Sequence, residues 1–207
     1  MGTIEKCVTW AVNIANDNSH GYSQAVRWSP DYDCSSFVIS ALEAAGFPMR
    51  AYGASYTGNM GQALKACGFV KVKGVNLASS AGLIRGDILL NPATHTEIYI
   101  GDNKAVGAHC SETGGKYGKA GDQTGNEISI QTYRNKNYTE VWRYGGTGAA
   151  FKPSHNSKWD KIARDVIRGN YGNGAERIAA LSAEGYTDAE INEIQQTVNY
   201  LIKGGLV

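Results

Sequence analysis

The sequence predicts an α+β protein with a small helical unit after it. Three observations carry this. Apolar residues recur at helical spacing near the N-terminus, short alternating apolar runs fill the middle, and a glycine-rich break is followed by helical spacing alone. The chain has 207 residues, enough for one large domain or two unequal ones, and a hydrophobic content of 42% supports a packed core.

Residues 3–16 read as an amphipathic helix with Ile4, Cys7, Val8, Ala11, Ile14 and Ala15 on one face. A polar, turn-rich segment follows, from Asn16 through Tyr22 to Pro30. Cys34 opens the next helix, with Phe37, Val38, Ala41, Leu42 and Ala45 at helical spacing and Gly46 and Pro48 as stop signals. A short helix from Asn59 to Cys67 precedes a strand at Phe69–Lys73. Arg85-Gly86-Asp87 turns into a strand at Ile88–Leu90. His95–Ile100 and Ala105–Cys110 read as a hairpin about Gly101-Asp102-Asn103. Alternation puts His95, Glu97 and Tyr99 on one face of the first arm. Ile128–Tyr133 and Val141–Tyr144 are further strands.

The run from Gly145 to Ala150 signals a linker. It divides the chain into residues 1–146, a linker at 147–157 and a tail at 158–207. The tail reads as a three-helix bundle. Trp159, Ile162, Ala163, Val166 and Ile167 mark its first helix, and Ile178 and Leu181 its second. Thr187 and Glu190 form a capping box before a third helix that carries Ile191, Ile194, Val198 and Leu201. A bundle this small is near the lower limit for a self-supporting core.

Composition excludes several classes. Twenty basic against nineteen acidic residues leave no electrostatic footprint for nucleic acid or an anionic membrane. No apolar run is long enough to span a bilayer. The N-terminal residues lack a basic start followed by an apolar segment, so no signal peptide is expected. The four cysteines, Cys7, Cys34, Cys67 and Cys110, are widely spaced. They suggest neither a structural zinc site nor a disulfide framework, and fit a reduced cytosol.

Chemistry converges on Cys34. A thiol at a helix N-terminus lies among unpaired N–H groups at the positive end of the dipole, which favours thiolate. A cysteine nucleophile needs a base, and the base an orienting group. Of the four histidines, His20 and His155 fall in loop or linker, whereas His95 and His109 lie on the two arms of the hairpin.

Asp33-Cys34-Ser35-Ser36-Phe37-Val38, then Arg85–Leu90, then His95-Thr96-Glu97-Ile98-Tyr99-Ile100-Gly101 occur in that order. Residues 3 to 144 thereby resemble the NlpC-type cysteine peptidases, papain-like cell-wall hydrolases of bacteria and phages. The resemblance implies a papain-like fold, Cys34 as nucleophile, His95 as general base, and Tyr22 and Asp33 as substrate-binding residues. The family's third polar residue falls twelve positions after the histidine, where this chain has Gly107. His109, two further along, is expected to take the orienting role, with Glu97 and Glu112 as alternatives. No metal or other cofactor is expected. Asp31 and Asp33 are too few acids for a calcium loop, and His95, His109 and Cys110 lack the usual zinc spacing.

The tail resembles the Cpl-type cell-wall-binding repeat of phage lysins through the segment Ile162–Arg177, Leu181 and the corner Gly185-Tyr186. That resemblance implies muropeptide contacts at Asp165, Gly172, Asn173 and Arg177. A single repeat of this kind binds weakly, which leaves self-association through the tail open.

Together the resemblances imply a bacteriophage endolysin of a Gram-positive host, held in the host cytoplasm until lysis and then acting on the wall. Its partner is peptidoglycan, both stem peptide and muropeptide. The expected cut is the stem amide between D-Glx and the diamino acid, with N-acetylmuramoyl-L-alanine amidase as the alternative. A non-catalytic wall-binding protein is the alternative from another class. A papain-like acyltransferase or toxin effector is argued against by the wall-binding tail.

Overall fold

The computed structural model describes residues 3–145 and 158–203. The expected boundary at 146, the linker at 147–157 and His155 lie outside the described residues.

In chain order the elements are α1 (Thr3–Ala15), α2 (Cys34–Ala44), α3 (Thr57–Ala66), β1 (Phe69–Lys71), β2 (Ile88–Asn91), β3 (His95–Gly101), β4 (Lys104–Ala108), β5 (Ile128–Thr132), β6 (Glu140–Tyr144), α4 (Asp160–Ile167), α5 (Ala175–Ala183) and α6 (Asp188–Lys203). The α+β reading holds. The six strands form one antiparallel sheet in the order β1-β6-β2-β3-β4-β5. For α3 and the strands, expected and observed bounds agree to within two residues, and the difference that bears on the site is at β4. That strand ends at Ala108, so His109 and Cys110 lie just beyond it, although the His109 N–H still donates to Glu127 O at 2.7 Å.

The main core lies between the sheet and the first two helices. Val8 and Ala11 of α1, Phe37, Val38, Ala41 and Leu42 of α2, and Ile88, Leu90, Ile98 and Val106 of the sheet are all buried there. Because α1 covers one side of α2 and the sheet the other, α2 is buried nearly all round. Ile98 pairs in register with Ile88 and Val106, which fixes alternation along β3. A second cluster holds Leu89, Tyr99, Ala105, Tyr133, Tyr138 and Val141.

Two ion pairs tie the Arg85–Asp87 turn down. Arg85 grips Glu5 of α1 through Nε and Nη2 at 2.9 and 2.6 Å. Asp87, fully buried, is gripped by Arg143 of β6 through two 2.7 Å contacts. Between them Gly86 has φ +89, and a β-carbon there would meet Ile4 Cγ1 at 2.5 Å. The motif is therefore a structural clamp feeding β2.

Among residues 158–203, Trp159, Ile162, Ala163, Val166, Leu181, Ile191, Ile194, Val198 and Leu201 bury one another. Tyr186 packs edge-on to Trp159 at 5.8 Å. The expected capping box is present: Thr187 N–H donates to Glu190 Oε2 at 3.0 Å, and Glu190 N–H to Thr187 Oγ1 at 3.3 Å.

Candidate active site

The local sequence obliges α2 to begin at Cys34. Asp33 caps it: its carboxylate accepts the Ser36 N–H at 2.7 Å, and Ser36 Oγ accepts the Asp33 N–H at 2.9 Å. Cys34 is buried, and its thiol is pushed up to about 11. Burial is the largest cause and the neighbouring Asp33 charge the next. Hydrogen bonds from the Thr96 and Ser35 amides and the charge of Arg27 act the other way without offsetting them. Burial and the charge of the residue that caps the helix thus oppose the thiolate that the helix end favours.

Asp33 is committed to the protein. Its Oδ1 accepts Ser35 Oγ–H at 2.9 Å and Arg27 Nη2–H at 3.2 Å, and Oδ2 lies 2.7 Å from Arg27 Nε. Tyr22 is also buried. Its N–H donates to Glu127 Oε2 at 3.0 Å, and its hydroxyl accepts from Gln24 Nε2 at 3.1 Å. Burial raises the Tyr22 phenol, and the charges of Cys34, Asp33 and Cys110 add to that.

His95 opens β3. The Thr96 amide that bonds the Cys34 sulfur belongs to the next residue, so the backbone that carries His95 passes the start of α2. His95 Nε2 lies 3.1 Å from Glu97 Oε1, two residues along the same face. Burial would raise the Glu97 carboxyl. Hydrogen bonding by His109 and His95 and the charge of Lys136 reverse that and hold it far below the usual carboxylate range. An ionised carboxylate only accepts, so the hydrogen between the two sits on His95 Nε2.

Glu97 is the hub of the site. Besides His95 it binds Tyr138, whose hydroxyl donates to Oε2 at 2.6 Å, and Lys136, whose ammonium donates to Oε1 at 2.6 Å. His109 Nδ1 stands 3.2 Å from the same Oε1. The His95 and His109 rings lie 6.1 Å apart, with Glu97 between their nitrogens. Glu112 stands apart and accepts the Lys119 N–H within its loop.

Sequence reasoning did not single out Arg27, Lys136 or Tyr138. The last two lie between β5 and β6, where no periodicity marks them. One signal was available for Glu97: a glycine at 107, where a polar side chain was anticipated, leaves room for a side chain from elsewhere. A β-carbon on Gly107 would stand 2.6 Å from Glu97 Cγ.

His95, Glu97 and His109 are the residues, among those described, that could together hold a metal ion, with ligand atoms within 4.8 Å of one another. Sequence spacing did not reveal this convergence. Among the described residues, no helix is long and apolar enough to cross a membrane.

In the tail, Arg177 donates to Gln195 Oε1 at 2.7 Å and reaches Gly172 O and Asn173 Oδ1 at 3.3 Å, so three of the four expected wall-contact residues share one turn. Asp165 pairs with Lys161 and Arg168.

Residues 26–106 match the model of an endolysin-like domain, and residues 160–202 match the CW_7 repeat. Together they support a cell-wall-acting phage endolysin. No curated protein matches the chain. The endolysin-like match contains Cys34, His95 and Glu97 and stops short of His109. The CW_7 match contains Asp165, Gly172, Asn173 and Arg177, and suggests that this part of the chain binds the cell wall.

Proposed function

We propose that the chain is a cysteine peptidoglycan hydrolase in which Cys34 is the nucleophile, His95 the general base and Glu97 the group that orients it. The observation that carries this reading is the His95–Glu97 contact beside a thiol at the start of a buried helix. The expectation that His109 orients the base gives way to Glu97, because the ring nitrogen of His95 meets that carboxylate. Asp33 supports the site from beneath by capping α2 and anchoring Arg27.

The reaction starts from the protonated thiol. His95 Nδ1 takes the thiol proton as sulfur attacks the carbonyl carbon of a stem amide, and Glu97 stabilises the imidazolium that forms. The Cys34 N–H, at the start of α2, is suited to the tetrahedral oxyanion. His95 then protonates the departing nitrogen, leaving a thioester. It next takes a proton from water, whose oxygen attacks the thioester carbonyl, and the carboxylic acid and thiol are regenerated.

The amide favoured is the bond between D-Glx and the diamino acid, with the muramoyl–L-Ala amide as the alternative. The NlpC-type motif order supports the former. The wall-binding repeat concentrates the enzyme on an insoluble substrate and raises its effective concentration there. Host cytoplasm before lysis and the wall afterwards are the compartments this reading implies.

The deciding experiment is digestion of purified Gram-positive peptidoglycan by wild type and Cys34→Ala, with mass spectrometry of the products. New amines on lysine or diaminopimelate identify the endopeptidase. A new L-Ala amine on intact glycan identifies the amidase. Equal lysis by Cys34→Ala would reject the cysteine mechanism.

A further inference from the structure

The ammonium of Lys136 sits among atoms that would suit a divalent cation. Nζ lies 2.6 Å from Glu97 Oε1, 3.2 Å from His109 Nδ1 and 3.3 Å from Gln131 Oε1. The Glu97 side chain is 3% exposed and that of His109 10%, so these groups have little water to turn to. His95, Glu97 and His109 already present their ligand atoms within 4.8 Å of one another. Two imidazoles and a carboxylate are a donor set that zinc accepts. A buried carboxylate facing two histidines needs a positive charge nearby, and either a metal or an ammonium can provide it.

We propose that Lys136 is the resident cation of this nest: it positions Glu97 for His95 and keeps divalent metal out. The positioning half rests on the Cys34–His95–Glu97 reading, whereas the metal-excluding half rests on geometry alone. Lys136 comes from the stretch between β5 and β6, and the short contact to Oε1 pins the oxygen that also meets His95 Nε2. Tyr138, from the same stretch, holds Oε2. With both oxygens held, the carboxylate cannot rotate away from the imidazole. A metal bound here would instead draw on the imidazole nitrogens and withdraw His95 from base catalysis.

Zinc binding is measured by calorimetry on full-length Cys34→Ala, which removes the thiol as a competing ligand, with and without Lys136→Leu. The expected result is no zinc at the nest in Cys34→Ala and one bound zinc gained with Lys136→Leu, lost again on adding His109→Ala. Lys136→Ala replaces Lys136→Leu if the latter does not fold. Zinc bound by Cys34→Ala itself and abolished by His109→Ala would overturn the proposal. So would the absence of any gain on removing Lys136.

The positioning half is read on the enzyme with Cys34 intact, in metal-free buffer. Lys136→Leu is expected to lower kcat by roughly 10- to 100-fold with little change in KM, and Lys136→Arg to restore most of it. Wild-type turnover by Lys136→Leu would overturn that half. If Cys34→Ala proves as lytic as wild type, the cysteine mechanism fails, while the zinc titration still reports on the nest.

Discussion

Gly107 and Glu97 share one space: a β-carbon on Gly107 would lie 2.6 Å from Cγ of Glu97. The two residues sit on neighbouring strands, β4 and β3, and the missing side chain of one admits the side chain of the other. Gly107 does not adopt a left-handed backbone conformation, so the constraint is purely steric. Gly107→Ala is expected to destabilise the fold by about 1–3 kcal/mol and to depress activity by displacing the carboxylate. In a Glu97→Ala background the same substitution should cost much less. A double-mutant cycle by thermal unfolding measures the coupling, and additive effects would show that the two positions do not compete for space.

Glu97 makes the fold sensitive to acid. Its folded-state carboxyl lies below the ordinary value of 4.5. Its stabilisation is therefore fully present above that value and is lost as pH falls below it. Melting temperatures of wild type and Glu97→Gln between about pH 3 and pH 7 should converge on the acid side. A constant gap would mean that the carboxyl titrates normally. At neutral pH Glu97→Gln should lower kcat by roughly a hundredfold, because an amide stabilises the imidazolium poorly.

Much of this arrangement was legible before the fold was known, and what was missed has a physical pattern. The apolar spacing from Phe37 to Ala45, with Gly46 and Pro48 as stop, marks α2, and alternation puts His95 and Glu97 on one face. Strand ends are harder to read, and β4 stops at Ala108, so His109 enters the site from a loop. Lys136 and Tyr138 are brought to Glu97 by tertiary folding alone. The Cys34 thiol is harder to read for another reason: the burial of its sulfur, which opposes the helix end, comes from tertiary packing.

That thiol gives a reactivity test. With the group pushed up to about 11, alkylation of Cys34 by iodoacetamide should climb steadily, close to tenfold per pH unit, across about pH 7 to 9. Peptide mass spectrometry separates Cys34 from the exposed Cys110. A rate that levels off below neutrality would reveal a preformed thiolate–imidazolium pair and rule out attack from the protonated thiol.

Arg177 fixes the turn that carries Gly172 and Asn173 by bridging it to Gln195 on α6. If this turn is the wall-contact surface, Arg177→Ala removes both a direct contact and the bridge that shapes it. Sedimentation with purified sacculi is expected to show retention falling several-fold for Arg177→Ala and unchanged for Cys34→Ala, since Cys34 lies outside the repeat. Activity on a small soluble stem peptide should respond the opposite way, lost in Cys34→Ala and kept in Arg177→Ala. Loss of soluble-peptide cleavage in Arg177→Ala would mean that the repeat takes part in catalysis as well as in concentrating the enzyme on the wall.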